Sequence, residues 1–284
     1  MFRSLVSLIL CLSLCACTGV FFQPMKTLVR TPDDIHLKYE DVHFSNQQDA
    51  TQLHGWFLPA QGDVKGTILF LHGNAENIST HIGSVYWLPA EGYNVFLFDY
   101  RGYGQSQGHA TIPGAISDTT SALHWLQTNP RIDADKIVVL GQSLGGALAT
   151  YALGTAEYAD KIKGLIIDST FSSYQRIARE KFAAFWLTWP FQYPLAWSVE
   201  SGYDPISRIA NFSPTPVLII HSRHDQIIPL AHAERLFAAA GSPKDLWIAP
   251  KGGHISALSY PIIRERLLHY LSKILSVSTP GDTT

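Results

Sequence analysis

Nearly unbroken apolar runs recur five times along this chain: TILFL at 67–71, NVFLF at 94–98, KIVVL at 136–140, GLII at 164–167 and PVLII at 216–220. None alternates polar with apolar as a half-exposed strand does, and each is short for a buried helix, so they fit strands covered on both faces. Partly alternating stretches at 37–44 and 52–58 read as further strands, and 245–248 as a weaker last one. Helical patterns lie between them, at about 78–90, 114–128, 143–156, 230–240 and 256–275. Strand and helix thus alternate through most of the chain. That predicts an α/β fold, a mostly parallel sheet with helices on both faces. In such sheets ligands gather at the carboxyl ends of the strands, so motifs that follow an apolar run are where chemistry is sought.

The alternation fails between residues 170 and 213. Ten residues from Phe171 to Tyr203 are aromatic, among them Trp186, Trp189 and Trp197, and Pro190 and Pro194 interrupt any long helix. This interval is expected to be an inserted, aromatic-rich cap over the carboxyl edge. Its rings would either wall an apolar pocket or pack the cap onto the core. Composition sets wider limits. With 284 residues, 46% hydrophobic and 15% charged, the chain can bury a sizeable core and is not disordered. A net charge of −2 gives no reason to expect a nucleic-acid partner.

All the cysteines lie at the front: Cys11, Cys15 and Cys17. The rest of the chain therefore holds no disulfide and no cysteine metal site. Arg3, an apolar run from Leu5 to Leu14 and a small residue describe a secretion signal. Leu14-Cys15-Ala16-Cys17 also resembles the bacterial lipobox, which implies that Cys17 carries lipid and becomes the new N-terminus. Cys15 is the poorer candidate because Leu14 precedes it directly. Thr18 in place of Asp implies sorting to the outer membrane, facing the periplasm. A competing reading is an uncleaved anchor, since residues 4–23 carry no charge. Either reading sets the chain in a bacterial cell envelope, beside a membrane.

After the run at 136–140 comes Gly141-Gln142-Ser143-Leu144-Gly145-Gly146, a G-x-S-x-G turn between an expected strand and an expected helix. The flanking glycines let backbone approach closely, and the turn exposes the Ser143 hydroxyl at a helix N-terminus, where negative charge is favoured. A plain N-cap serine is the simpler alternative. A serine hydroxyl needs a base to act as a nucleophile. His254 follows the last expected strand and precedes the final helix, which sets it at the same edge. A surface-loop histidine is the blander reading of that residue. The acid is expected between serine and histidine. Asp225, 82 residues after Ser143 and 29 before His254 in a short polar loop after an apolar strand, is the expected acid, with Asp168, ending the preceding strand, as its competitor. His221, His224 and Asp225 have a metal-like spacing, but no further spaced ligands join them, so neither metal nor cofactor is expected.

Together these residues resemble the alpha/beta-hydrolase superfamily of serine hydrolases, closest to the HGN-loop group that includes serine aminopeptidase S33-like domains. The matching stretches are Leu71-His72-Gly73-Asn74-Ala75, Asp99-Tyr100-Arg101-Gly102-Tyr103-Gly104, the serine turn, His221 to Pro229, and Gly252-Gly253-His254. The resemblance implies an oxyanion hole from the backbone N–H groups of Leu144 and Asn74, or Ala75 if the turn is shifted. It implies a structural role for 99–106, with Arg101 pairing a carboxylate. It implies a Ser143-His254-Asp225 hydrolase working through an acyl-enzyme but not its substrate; the aromatic cap and the membrane-side N-terminus point to small hydrophobic acyl esters or thioesters. The alternatives are an aminopeptidase, with Glu180 or Glu200 available to the substrate amine, and a noncatalytic envelope lipoprotein. The expected organisation is a signal peptide (1–16), a tether and lead-in (17–37), an alpha/beta-hydrolase domain (38–275) with the cap at about 170–213, and a flexible tail (276–284).

Overall fold

The computed structural model describes residues 21–276; the signal peptide, Cys17 and nearly all of the expected tail lie outside them. Eight strands form one sheet: β1 (Glu40–Ser45), β2 (Gln52–Leu58), β3 (Gly66–Leu71), β4 (Tyr93–Asp99), β5 (Ile137–Gln142), β6 (Gly164–Asp168), β7 (Val217–Ser222) and β8 (Lys244–Ala249). Their order is β1-β2-β4-β3-β5-β6-β7-β8. β2 runs antiparallel to both its neighbours, and β3 to β8 are all parallel.

The five apolar runs are five of the six inner strands, buried at every position. A strand aims successive side chains at opposite faces, so a strand covered twice must be apolar throughout. In β3, Leu69 and Leu71 join one core cluster with Ala115, Leu123 and Leu148, whereas Ile68 and Phe70 join the other with Leu267 and Leu271. Each such side chain contributes about 1.5–3 kcal/mol on full burial. The edge strand β1 alternates instead, with Val42 and Phe44 buried and Asp41, His43 and Ser45 exposed.

The helices are α1 (Ile78–His81), α2 (Ile112–Thr128), α3 (Leu144–Leu153), α4 (Tyr174–Ala184), α5 (Gln192–Trp197), α6 (Ala231–Ala239) and α7 (Pro261–Leu275). α2 starts where Thr111 accepts from the Gly114 N–H, with Pro113 in the first turn. Two expected helices are shorter than the sequence pattern suggests. The stretch 78–90 breaks into α1 and two 3₁₀ turns, Ile82–Ser84 and Leu88–Glu91. A continuous helix would need an N–H that Pro89 lacks. The last helix begins at Pro261, because the residue before a proline is pushed towards extended backbone and Tyr260 takes ψ 124°.

From Phe21 onward the lead-in is fastened to the domain. Gln23–Pro24 pairs in parallel with Ala75–Glu76. The Asn77 amide donates to the carbonyls of Met25 and Thr27 at 2.9 and 2.8 Å. The Phe21 ring packs edge-on against Tyr174 at the start of the cap, with centroids 5.0 Å apart. No helix among the described residues is long and apolar enough to cross a membrane.

Candidate active site

Ser143 is the residue immediately after β5, and its backbone has φ 53° and ψ −116°. An L-residue held there is strained, commonly by about 1–3 kcal/mol. The strain persists because neighbouring backbone fits only this turn. A Cβ on Gly145 would strike the carbonyl oxygens of Leu71 and His72, and one on Gly141 would lie 2.6 Å from the Gly145 oxygen. The serine stands at the N-cap of α3 but makes no capping bond. Its hydroxyl donates to His254 Nε2 at 2.9 Å.

His254 sits in the loop between β8 and α7, and its Nδ1–H donates to Asp225 Oδ2 at 2.8 Å. Asp225, after β7, also accepts at Oδ1 from the N–H groups of Ile227 and Ile228, at 2.8 and 2.9 Å. Burial of the carboxyl pushes its pKa up, but the His254 bond and charge and the two backbone donors outweigh that, and the net shift is downward. The Asp225 side chain is fully buried and that of His254 is 15% exposed. The carboxylate therefore stays charged, fixes the imidazole tautomer and leaves Nε2 free to take a proton.

Asp168, the competing acid, has no hydrogen bond to His254. Its Oδ2 accepts from Gln142 Nε2 at 2.9 Å and its Oδ1 from the Ser169 hydroxyl at 3.1 Å. Burial lifts its pKa to about 6. Ser169 in turn accepts from the Ile255 N–H at 3.1 Å, so this pair ties the histidine loop to the end of β6. The link runs through a backbone N–H, which no residue-type pattern reveals.

The loop after β3 closes the other side. The Asn74 carbonyl accepts from the Tyr103 hydroxyl at 2.6 Å and from the Gln23 N–H at 2.9 Å, which holds that peptide in place. Asn74 and Leu144 both border the cleft above Ser143. His72 points away from it: its ring is buried, with Nδ1 2.8 Å from the Gly73 carbonyl and burial holding its pKa well below the ordinary value. Arg101 pairs with Asp118 and Asp49, each at 2.8 Å.

The cleft encloses about 220 Å³. Phe21, Phe171, Ile177, Phe182 and Ile228 form most of its apolar wall, and Lys181 is its charged residue. Of the cap's aromatic residues expected to wall a pocket or pack on the core, Phe171 and Phe182 line the cleft, whereas Trp186, Trp189 and Trp197 do neither and are exposed. Glu180 is also turned from the cleft, bonded at 2.9 Å to His232 Nε2. Phe21, Ile227 and Ile228 were not legible as pocket residues, because they enter it from segments remote from the cap. Among the described residues, the group spaced to hold a metal ion is Asp41, His43 and His54, at the opposite edge of the sheet. There Asp41 already accepts from the ring nitrogens of His54 and Trp56.

This strand order, with a strained serine on the turn after the fifth strand, defines an alpha/beta hydrolase. The profile of the family described as "Serine aminopeptidase, S33" matches residues 62–211. The chain belongs to that family, within the alpha/beta-hydrolase superfamily of serine hydrolases. It is 35% identical over 244 residues to the "Uncharacterized protein YfhR" of Escherichia coli K12, covering 84% of this chain and 82% of that one. It is 34% identical over 237 residues to the "Alpha/beta hydrolase domain-containing protein WAV2" of Arabidopsis thaliana, covering 79% and 75%. Among solved structures, a Pyrococcus furiosus esterase superposes with a TM-score of 0.71 at 22% identity, over 90% of this chain and 97% of that one.

Proposed function

We propose that this hydrolase is a serine esterase that cleaves small apolar acyl esters or thioesters. The observation that carries this reading is the unbroken hydrogen-bonded chain from Ser143 through His254 to Asp225, lying beneath an apolar cleft. In this mechanism Ser143 Oγ attacks the acyl carbonyl while His254 Nε2 takes its proton. The N–H groups of Leu144 and Asn74 receive the developing oxyanion, and one such donor is worth about two to three orders of magnitude in rate. The imidazolium gives its proton to the departing alkoxide or thiolate. Water, deprotonated by the same nitrogen, then releases the acid and restores the serine.

The cleft volume, about 220 Å³, lies below the roughly 300–1,000 Å³ of pockets for drug-sized ligands, which favours a short acyl group. The aminopeptidase reading finds less support, because among the described residues no carboxylate lines the cleft to receive an amine and Glu180 is engaged by His232. A fluorophosphonate probe is expected to label the protein, and Ser143→Ala to abolish both labelling and hydrolysis of p-nitrophenyl acetate and butyrate. Labelling that survives at another residue, or turnover of aminoacyl arylamides alone, would overturn the proposal. The lipobox at Cys17 supports a lipid anchor in the cell envelope; incorporation of labelled palmitate is expected to disappear in Cys17→Ser, and its persistence would remove that reading.

A further inference from the structure

The cap carries an apolar surface that the cleft does not use. Helix α4 turns Ile177, Ala178 and Phe182 towards the cleft. The segment that follows sends its large side chains outward: Trp186 is 76% exposed, Trp197 70%, Phe191 60% and Trp189 59%, with Leu187 and Tyr193 more than half exposed beside them. From Phe182 to Val199 there is no Asp, Glu, Lys or Arg, eighteen residues without a formal charge. Aromatic side chains left in water at this density mark a surface meant for a partner.

The end of the described chain says which partner. Residues 4–23 carry no charge, and the chain reaches the folded domain at Phe21, whose ring lies against Phe171 and Tyr174 at the root of the same cap. An apolar N-terminal segment held in a bilayer would therefore deliver the domain with its cap towards the lipid. The side-chain chemistry fits that neighbour. Indole and phenol rings settle at the boundary between headgroups and acyl chains, where an apolar body and a polar edge are both satisfied. The few cationic residues, Arg176, Arg179 and Lys181, flank the apolar stretch on one side only, so the contact depends on apolar burial more than on anionic lipid.

We infer that the outward face of the cap, built on Trp186, Trp189, Phe191 and Trp197, docks on the surface of a lipid bilayer and holds the neighbouring cleft at the membrane interface. This contact would add to the proposed N-terminal attachment, on which the orientation argument rests, and does not depend on catalysis.

The full chain, reconstituted on phosphatidylcholine vesicles with or without bromine on the acyl chains, tests this. Three of the seven tryptophans lie on the cap face. Tryptophan emission is expected to fall by roughly a third to a half on brominated vesicles relative to plain ones, since only residues at acyl depth are quenched. The variant W186S/W189S/W197S is expected to keep its circular dichroism and its flotation with vesicles but to lose nearly all of that quenching. Trp186→Ser alone should lose a share of it, which guards against a misfolded triple variant. Ser143→Ala should be quenched like the parent chain, so loss of hydrolysis and loss of docking are read separately. Equal emission on both vesicles, quenching that survives in the triple variant, or a cap-to-cap cross-linked dimer without quenching would overturn the inference.

Discussion

Ser143 concentrates the cost of the proposed chemistry in one residue. Its positive φ directs the hydroxyl away from the N-terminus of α3, which it would otherwise cap, and towards His254. That geometry is held by close backbone approach around Gly141 and Gly145 and is not favoured by serine itself. Glycine at this position would keep the turn and release the strain, at the cost of a more flexible unfolded chain. Ser143→Gly is therefore expected to be inert yet more stable by about 1–2 kcal/mol, raising the thermal midpoint by roughly 2–6 °C in a circular dichroism melt. A lower midpoint would mean that the serine side chain stabilises the turn more than its φ destabilises it.

Among the elements, the cap helix α4 divides two tasks between its faces. Ile177, Ala178 and Phe182 narrow the cleft, while Glu180 reaches His232 on α6 and fixes the helix to the domain. If the proposed esterase seats its acyl group in this cleft, selectivity for acyl length depends on the small side chain at 178. Ala178→Leu is expected to lower kcat/KM for p-nitrophenyl butyrate by about tenfold while leaving the acetate ester within about threefold, since a few methylenes in an apolar pocket are worth about 1–3 kcal/mol. Parallel losses on both esters would place the acyl group elsewhere in the cleft. The boundaries of such elements were the part of the fold least legible in advance. Apolar periodicity ran on through 78–90, where the α-helix stops at His81 and two 3₁₀ turns follow, and through 256–260, where Tyr260 stays extended ahead of Pro261.

Across the whole molecule, burial sets two groups of titrating residues against each other. It holds His54, His72, His81, His221 and His232 below the ordinary imidazole value of 6.5. It also lifts the carboxyls of Asp99 and Asp168 to about 7 and about 6. Below pH 6.5 the unfolded chain binds protons that the folded histidines refuse, so their contribution to stability falls as pH falls. Between about pH 4 and 7 the folded chain keeps a proton on Asp99 that the unfolded chain has lost, so that contribution falls as pH rises. Five groups outweigh two, and urea unfolding is expected to show declining stability from pH 7 to pH 5. Asp99→Asn removes one opposing contribution and should steepen the decline by about 1.4 kcal/mol per pH unit. An unchanged slope would mean that Asp99 is already ionised in the folded chain.

The residues themselves determined the architecture. Short apolar runs alternating with helical patterns fit strands covered on both faces, and a serine between two spaced glycines after such a strand fits a tight turn at the sheet's carboxyl edge. What remained open was decided in three dimensions. Asp168 and Asp225 both end or follow apolar strands, and the sequence favoured Asp225 without excluding Asp168; the folded loops put Asp225 against the imidazole and Asp168 against Gln142 and Ser169. The aromatic residues of the cap likewise share one composition, yet Phe171 and Phe182 face the cleft while Trp186 and Trp197 face outward. Pattern encodes which strands are buried because every residue of a strand meets the same two layers. It does not encode which way a side chain in an irregular cap turns, because that depends on contacts with segments far away along the chain.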